Sequence, residues 1–321
     1  MMTTTMTRTI HEPVLEQFME LFGNRVKTDA RLSRYTSVRV GGAAELFVTV
    51  RSVDELETAV NLAYDQRIAY FVLGGGSNIL VADDGMKGVV ILNRANSVRF
   101  RHIGAKVICT VDSGMNVGTL ARQCINNGLG GLEWAIGIPG TIGGAVVGNA
   151  GAHGGDIDGV LRAATIWEPG RGARIFSNDE LKYGYRESLL KREQGRDISR
   201  RVVLSAEFEL VPEPVDVLMA RADAFNAQRK QSQPSGATSG SMFKNPPNFY
   251  AGYLIDSADL RGLRVGGAQI SEKHANFFIN TGDATAEDVR ELVAQAWNAV
   301  RDEFNVEMEL EVEMVGEWKL E

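Results

Sequence analysis

Residues 138–151 read IPGTIGGAVVGNAG, and how this stretch is understood decides the fold. Glycine recurs at Gly140, Gly143, Gly144, Gly148 and Gly151, as in a low-complexity linker. Ile138, Ile142, Val146 and Val147 are interleaved with these glycines, so the segment can pack. Upstream, RIAYFVLGGGSN (67–78) reads as a strand that ends in Gly74, Gly75 and Gly76, followed by Ser77 and Asn78. Consecutive glycines let successive backbone N–H groups converge on one concavity, because no Cβ blocks close approach. Ser77 and Asn78 add side-chain donors to this first wall. In the second wall Pro139 stiffens the turn, and Gly140, Thr141, Gly143, Gly144, Asn149, Ala150 and Gly151 line it. Two such walls, far apart in sequence, suit an extended ligand with a pyrophosphate in its middle. The alternative is that the glycines serve tight turns only. For either cluster alone the two readings carry equal weight; together, the cofactor reading is favoured.

The chain has 321 residues and a formal charge of −7, the balance of an ordinary globular protein of two or three domains. That charge argues against a dedicated nucleic-acid or membrane surface. No apolar run is long enough to span a bilayer. The opening MMTTTMTRTIHEPV has no apolar core, so no signal peptide is expected; it reads as a tail, with residues 1–28 expected to be disordered or peripheral. Cys109 and Cys124 lie in apolar contexts, and His11, His102, His153 and His274 are scattered, so no metal site is expected. A reducing cytoplasm fits this cysteine usage. The oligomeric state is open, with a monomer as the working expectation.

From Ala44 the pattern is mixed α and β. ELFVTV (45–50) reads as a strand, and Ser52 as the cap of a helix burying Leu56, Ala59, Val60 and Ala63. GVVILN (88–93) and KVICTVDSG (106–114) are further strands, and a helix is expected over 117–125. Residues 160–211 read as strands around one polar insertion, FSNDELKYGYRESLLKREQGRD. A helix over 215–229 bears Val217, Leu218, Ala222 and Phe225 on one face. Thr285 caps a last helix with Val289, Leu292, Val293, Ala296, Val300 and Phe304 at helical spacing. VEMELEVEMV (306–315) alternates strictly and predicts a strand with Glu307, Glu309, Glu311 and Glu313 on its polar face.

Several chemistries are unsupported. There is no G-x-G-x-x-G fingerprint and no GK[ST] loop. TSGSMFKNP (238–246) carries Ser241, but outside a G-x-S-x-G elbow and with no histidine standing out as its base. Its residues alone allow a nucleophile, a proton donor, a phosphate contact or a turn residue.

VRVGGAAELFV, VLGGGSNILVADDGMKGVVI and GLEWAIGIPGTIGGAVVGNAGAHGGDI resemble the FAD-binding region of vanillyl-alcohol-oxidase-like flavoproteins. More narrowly, with YGYRES, SGSMFKNP, GGAQISEKHANFFIN and LEVEMVG, they resemble the UDP-N-acetylenolpyruvoylglucosamine reductase (MurB) family in its shorter, type II-like form. The likeness runs over about residues 30–316. It implies an α+β fold: a vanillyl-alcohol-oxidase/PCMH-like two-lobed FAD-binding module (29–95 and 96–213) and a C-terminal α+β substrate domain (214–321). The reaction implied is reduction of an enolpyruvyl ether on UDP-N-acetylglucosamine to UDP-N-acetylmuramate, a peptidoglycan precursor. FAD is implied as a non-covalent cofactor and NADPH as co-substrate; hydride goes to the vinyl carbon and a proton to its neighbour.

That chemistry needs a cation at the substrate carboxylate, a proton donor of fixed direction and exclusion of water. The resemblance assigns Arg186 to the first, since a guanidinium binds a carboxylate by two parallel bonds. The bland alternative is a surface arginine in a charged loop. It assigns Ser241 as proton donor; a serine hydroxyl is a poor acid, and the nearby Lys244 is expected, on charge alone, to favour its alkoxide directly or through a water. Glu311 is the third catalytic choice, picked over Glu309 by the terminal L-x-x-E-V pattern and expected to be protonated if buried; a solvated strand face is the alternative. Tyr185, Lys230, Lys244 and Asn245 are assigned to the UDP-sugar. Asn248 and Asn305 stand where glycine is expected, and asparagine tolerates the left-handed turn. Ile136 replaces a smaller residue beside the second wall, and His153 is read as structural. The rivals are an alcohol oxidase of the same fold, reacting with oxygen and not with NADPH, and a flavin-free nucleotide-sugar binder.

Overall fold

The computed structural model describes residues 10–193 and 200–318. Two compact units are each assembled from separate segments. The first takes the chain up to Thr28, Glu45–Gly75 and Gly88–Gln228; the second takes Asp29–Ala44, Gly76–Lys87 and the chain from Arg229 onward.

The first unit has two cores. In one, the strand Tyr70–Leu73 lies parallel to Met86–Asn93, with Tyr70 opposite Val89 and Leu73 opposite Leu92. The helix Val53–Asp65 buries Leu56, Ala59, Val60 and Ala63 there, and the Ser52 hydroxyl accepts from the Glu55 N–H, as the sequence predicts. The expectation for residues 1–28 is corrected. Glu12–Phe22 is a helix whose Val14, Phe18 and Phe22 enter this core, and Phe18 is fully buried. Burying one such ring is worth roughly 1.5–3 kcal/mol, enough to anchor a segment with few sequence signals. Residues 1–9 lie outside the described residues.

The other core lies on an antiparallel sheet ordered Gly172–Ser177, Leu161–Glu168, Val202–Pro212, Lys106–Asp112, Val98–Ile103. Val117–Asn126 covers it as a helix, capped by Asn116, whose Oδ1 accepts from the Thr119 N–H. The polar insertion is broken by two short helices, Asn178–Leu181 and Leu189–Glu193. Its residues 194–197 lie outside the described residues. The helix expected over 215–229 runs Val215–Ser232. Leu218 and Ala222 are buried on it, but Val217 is 41% exposed, because it lies off the face that packs on Ile125 and Ile136.

The second unit has a four-stranded sheet ordered Ala237–Ser241, Phe277–Asn280, Ala268–Ile270, Arg264–Val265. The helix Ala286–Phe304 packs on its core through Val289, Leu292, Ala296 and Val300. Thr285 and Asp288 form its capping box, and Asn305 ends it in the left-handed conformation (φ 52°). Asn248 is left-handed too (φ 67°), as its side-chain type allows. The ten-residue strand expected at 306–315 is corrected to three residues, Glu313–Val315, parallel to Ile79–Val81. Met308 and Val312 are buried, so the alternation correctly marks an extended segment. The rest of the segment meets its neighbours through isolated bonds and one bridge, Phe243 to Leu310, rather than a continuous ladder.

Candidate functional site

In the first unit the two glycine walls meet. A Cβ on Gly75 would sit 2.7 Å from the Gly140 Cα, and one on Gly74 would sit 2.2 Å from Thr141 Oγ1. These glycines are therefore required for contact of one loop with the other. Gly144 differs: the nearest atom to its would-be Cβ is Thr141 Oγ1 at 4.0 Å, and the residue is exposed. The turn-only reading explains Gly74, Gly75 and Gly140, but leaves Gly144 without a protein neighbour that excludes a side chain. Pro139 is exposed beside them.

The second wall is held from behind by residues the sequence reading missed. Gly140 O accepts from the Val117 N–H (3.1 Å) and from Asn116 Nδ2 (3.1 Å). Ser113 O accepts from the Gly143 N–H (2.8 Å), and the Ser113 hydroxyl accepts from buried Asn93 Nδ2 (2.8 Å). On the first wall, Arg94 donates to Gly74 O (3.1 Å). The signal available was DSGMN (112–116), a glycine-containing turn before a capping asparagine.

Ile142–Gly148 is a short helix ended by Asn149 in the left-handed conformation, with the Ala150 N–H returning to Ala145 O. Asn149 is buried, and its amide bridges two segments: Nδ2 donates to Gly184 O (2.9 Å), and Oδ1 accepts from the Asp158 N–H (3.0 Å). Its side chain is thus a bracket between two segments of the protein. His153 stacks on Phe225 at 4.6 Å and bonds Gln228, the structural role expected.

Arg186 is brought to this wall. Its Nη2 donates to Gly151 O (2.7 Å) and Nη1 to Asn149 O (3.4 Å). It sits in a tight turn closed by two bonds between Gly184 and Glu187, with Tyr185 and Arg186 at the corners. Arg186 has φ 56° there, a conformation that costs a non-glycine side chain about 1 kcal/mol. Tyr185 is 54% exposed beside it. Under the turn, burial pushes the Tyr183 phenol above its ordinary range, with Asp158 and Asp156 adding to the effect.

In the second unit Ser241 ends a strand with an irregular register. Thr238 pairs with Ile279 and Ser241 with Phe277, so the Ser241 strand carries one extra residue. Gly240, with φ 83°, absorbs it, a use of glycine typical of a bulge that re-aims the next side chain. Beyond Ser241, Met242 O accepts from the Glu311 N–H (2.9 Å), and the Lys244 N–H donates to Glu309 O (2.8 Å). Ser241 and Glu311, distant in sequence, are therefore within one residue of sharing a backbone bond. The two glutamates differ: Glu309 has 68% of its side chain exposed and receives the buried Lys244 ammonium at 2.5 Å, whereas Glu311 is half-buried. Lys244 is thus ion-paired with Glu309, a partner the sequence reading did not foresee.

Gly76, Ser77 and Asn78 belong to this unit. A Cβ on Gly76 would meet Tyr35 O at 2.0 Å, and Ser77 is half-buried. Asn78 donates to Glu311 O (3.0 Å) and accepts at its carbonyl from the Glu313 N–H, so its amide holds the Glu311 segment. Asn245 Oδ1 accepts from the Ala251 N–H (3.0 Å). Lys230 is exposed, and its carbonyl receives Lys273 Nζ (2.7 Å). Arg186 belongs to the first unit and Ser241 to the second. No helix among the described residues is long and apolar enough to cross a membrane, and none of their His, Cys, Asp and Glu groups cluster as a metal site.

Residues 44–167 match the family described as FAD binding domain, and residues 231–315 match the C-terminal domain of UDP-N-acetylenolpyruvoylglucosamine reductase. A UDP-N-acetylenolpyruvoylglucosamine reductase of Listeria welshimeri is 39% identical over 300 residues, covering 91% of this chain and 96% of the relative. That of Chloroflexus aggregans is 41% identical over 284 residues, covering 88% and 95%. The chain belongs to the UDP-N-acetylenolpyruvoylglucosamine reductase family. The crystal structure of the reductase from Thermus caldophilus superposes with a TM-score of 0.77 at 35% identity, covering 90% of this chain and 98% of that one. The reductase fold expected from the sequence, α+β with an FAD-binding region followed by a C-terminal domain, is the fold found.

The glycine-lined loops of the first unit fit FAD. Two loops approach through glycine, Gly144 leaves a side open that a Cβ would begin to fill, and Arg94, Asn116 and Ser113 hold the loops from behind.

Proposed function

We propose that the chain is an NADPH-dependent flavoenzyme that reduces the enolpyruvyl ether of UDP-N-acetylglucosamine-enolpyruvate to UDP-N-acetylmuramate, in the cytoplasm, for peptidoglycan synthesis, cell shape and division. The observation that carries this reading is coverage: reductases match about nine-tenths of the chain, across both the FAD-binding and the C-terminal regions. FAD, once reduced by NADPH, supplies the hydride for the vinyl carbon.

The residues of this chain do the rest. Arg186, fixed against the Gly151 carbonyl, offers its fork to the substrate carboxylate as negative charge grows there. Ser241, aimed by the Gly240 bulge, gives a proton to the carbon beside that carboxylate. Glu311, half-buried and tied by its N–H to Met242 O, is assigned as the acid that offers a hydrogen bond to the developing charge. Lys244, ion-paired with Glu309, is assigned to favour the Ser241 alkoxide and to contact the UDP-sugar. Lys230, whose carbonyl receives Lys273 Nζ, is assigned to the pyrophosphate, and Tyr185 and Asn245, the latter accepting from the Ala251 N–H, to the sugar nucleotide. The FAD-binding lobes are assigned to 29–95 and 96–213, and substrate closure to 214–321.

Stopped-flow absorbance on flavin-loaded Ser241→Ala tests this. NADPH should bleach the flavin at the normal rate, and reoxidation by the enolpyruvyl substrate should be severely slowed. Equal damage to both half-reactions, or a protein that does not take up FAD, would overturn the reading.

A further inference from the structure

Ser241 lies between two devices. On its N-terminal side is the Gly240 bulge. On its C-terminal side the regular ladder with Phe277–Asn280 stops, since Ser241 opposite Phe277 is the last register pair. What continues the pairing is one side chain. Asn276, 3% exposed, accepts from the Phe243 N–H at Oδ1 (2.9 Å) and donates from Nδ2 to Phe243 O (2.8 Å). Its carbonyl accepts from the Met242 N–H (2.8 Å). The carboxamide therefore acts as a peptide group would in the next rung, and both residues after Ser241 are held by this one residue.

Asn276 is itself held. Its N–H donates to His274 Nδ1 (3.2 Å), and the Ser271 hydroxyl accepts from the N–H groups of Lys273 (3.1 Å) and His274 (3.3 Å). On its other edge the Met242–Lys244 segment is bonded to Glu309 and Glu311. A hydroxyl that must protonate one face of a carbon tolerates little error in direction, and a displacement of about 1 Å costs on the order of a hundredfold in rate.

We infer that Asn276 is a positioning residue that aims the Ser241 hydroxyl, acting through the backbone of Met242 and Phe243 rather than by touching substrate. The inference rests on Ser241 as proton donor, and its test separates the two claims.

The variants are Asn276→Ala, Asn276→Asp, Ser241→Ala and the double variant Ser241→Ala/Asn276→Ala, all flavin-loaded and followed by stopped-flow. Asn276→Ala should slow reoxidation by the enolpyruvyl substrate about 10- to 100-fold while NADPH bleaching stays within about twofold. In the Ser241→Ala background the same change should add almost nothing, since it acts through a hydroxyl already absent. Hydrogen exchange on the flavin-free protein should show the Phe243 amide losing protection in Asn276→Ala, with the helix Ala286–Phe304 unaffected. Asn276→Asp keeps the acceptor but loses the donor, and should fall between wild type and Ala in reoxidation rate. Parallel loss of bleaching and reoxidation, or losses that multiply in the double variant, would overturn the inference. So would loss of folding in both Asn276 variants, which makes the residue a core bracket only. If Ser241→Ala alone leaves reoxidation intact, the proton-donor reading fails instead.

Discussion

Lys244, with 8% of its side chain exposed, places its ammonium 2.5 Å from Oε1 of Glu309, which is 68% exposed. A buried cation meets a carboxylate that water reaches freely. The solvent side weakens the pair, and such bridges are worth about 0.2–1 kcal/mol. Glu309→Gln is therefore expected to lower stability by no more than about 1 kcal/mol in urea titration. Lys244→Ala is expected to slow flavin reoxidation while sparing NADPH bleaching. An unchanged reoxidation rate would remove Lys244 from the chemistry.

Arg186 holds φ 56° in its turn. Glycine accepts that conformation without strain, whereas alanine does not. Arg186→Gly should exceed Arg186→Ala in stability by about 1 kcal/mol, while both lose enzymatic turnover. Arg186→Lys keeps the charge but loses the fork, and should also be strongly impaired. Equal urea midpoints for the glycine and alanine variants would show that the turn carries no strain.

The glycines of the two walls separate by what surrounds them. In Gly75→Ala the new methyl meets the Gly140 backbone at 2.7 Å, so melting of the flavin-free protein should shift downward. Gly144→Ala meets nothing closer than 4.0 Å and lies within a helix, where alanine is favoured by roughly 0.5–1 kcal/mol. Its flavin-free form should melt at the same temperature or higher, yet hold FAD less tightly in equilibrium titration. Unchanged FAD affinity would mean that Gly144 does not face the cofactor.

Burial, aided by the Arg261 charge, holds the His274 imidazole below its ordinary value of 6.5. The neutral ring is the form that accepts the Asn276 N–H. The unfolded chain then binds more protons than the folded one between the depressed value and 6.5, so stability rises with pH in that window. This contribution is fully present above about pH 6.5 and is lost as pH falls toward the folded value. Urea midpoints measured from pH 7 down to pH 5 should drop more steeply in wild type than in His274→Gln. Identical slopes would show that His274 does not titrate with folding.

Much of the architecture could be read from local pattern alone. Ser52 and Thr285 announce their helices because capping is decided by a hydroxyl and an N–H three residues away. The two glycine-rich loops were legible because clustered glycines have few uses, and Ser241 was singled out because SGSMFKNP is one of the seven segments that carry the family resemblance. Tertiary structure decided the partners. That Gly75 abuts Gly140, that Asn149 ties down Gly184, and that Asn276 replaces a rung beside Ser241 all depend on residues dozens of positions apart. So does the three-residue limit on the strand at Glu313–Val315: alternation marks an extended chain, but a ladder needs a neighbour with free backbone groups at the right spacing. Chain chemistry acts over a turn or two, and long-range contact is set only when the cores close.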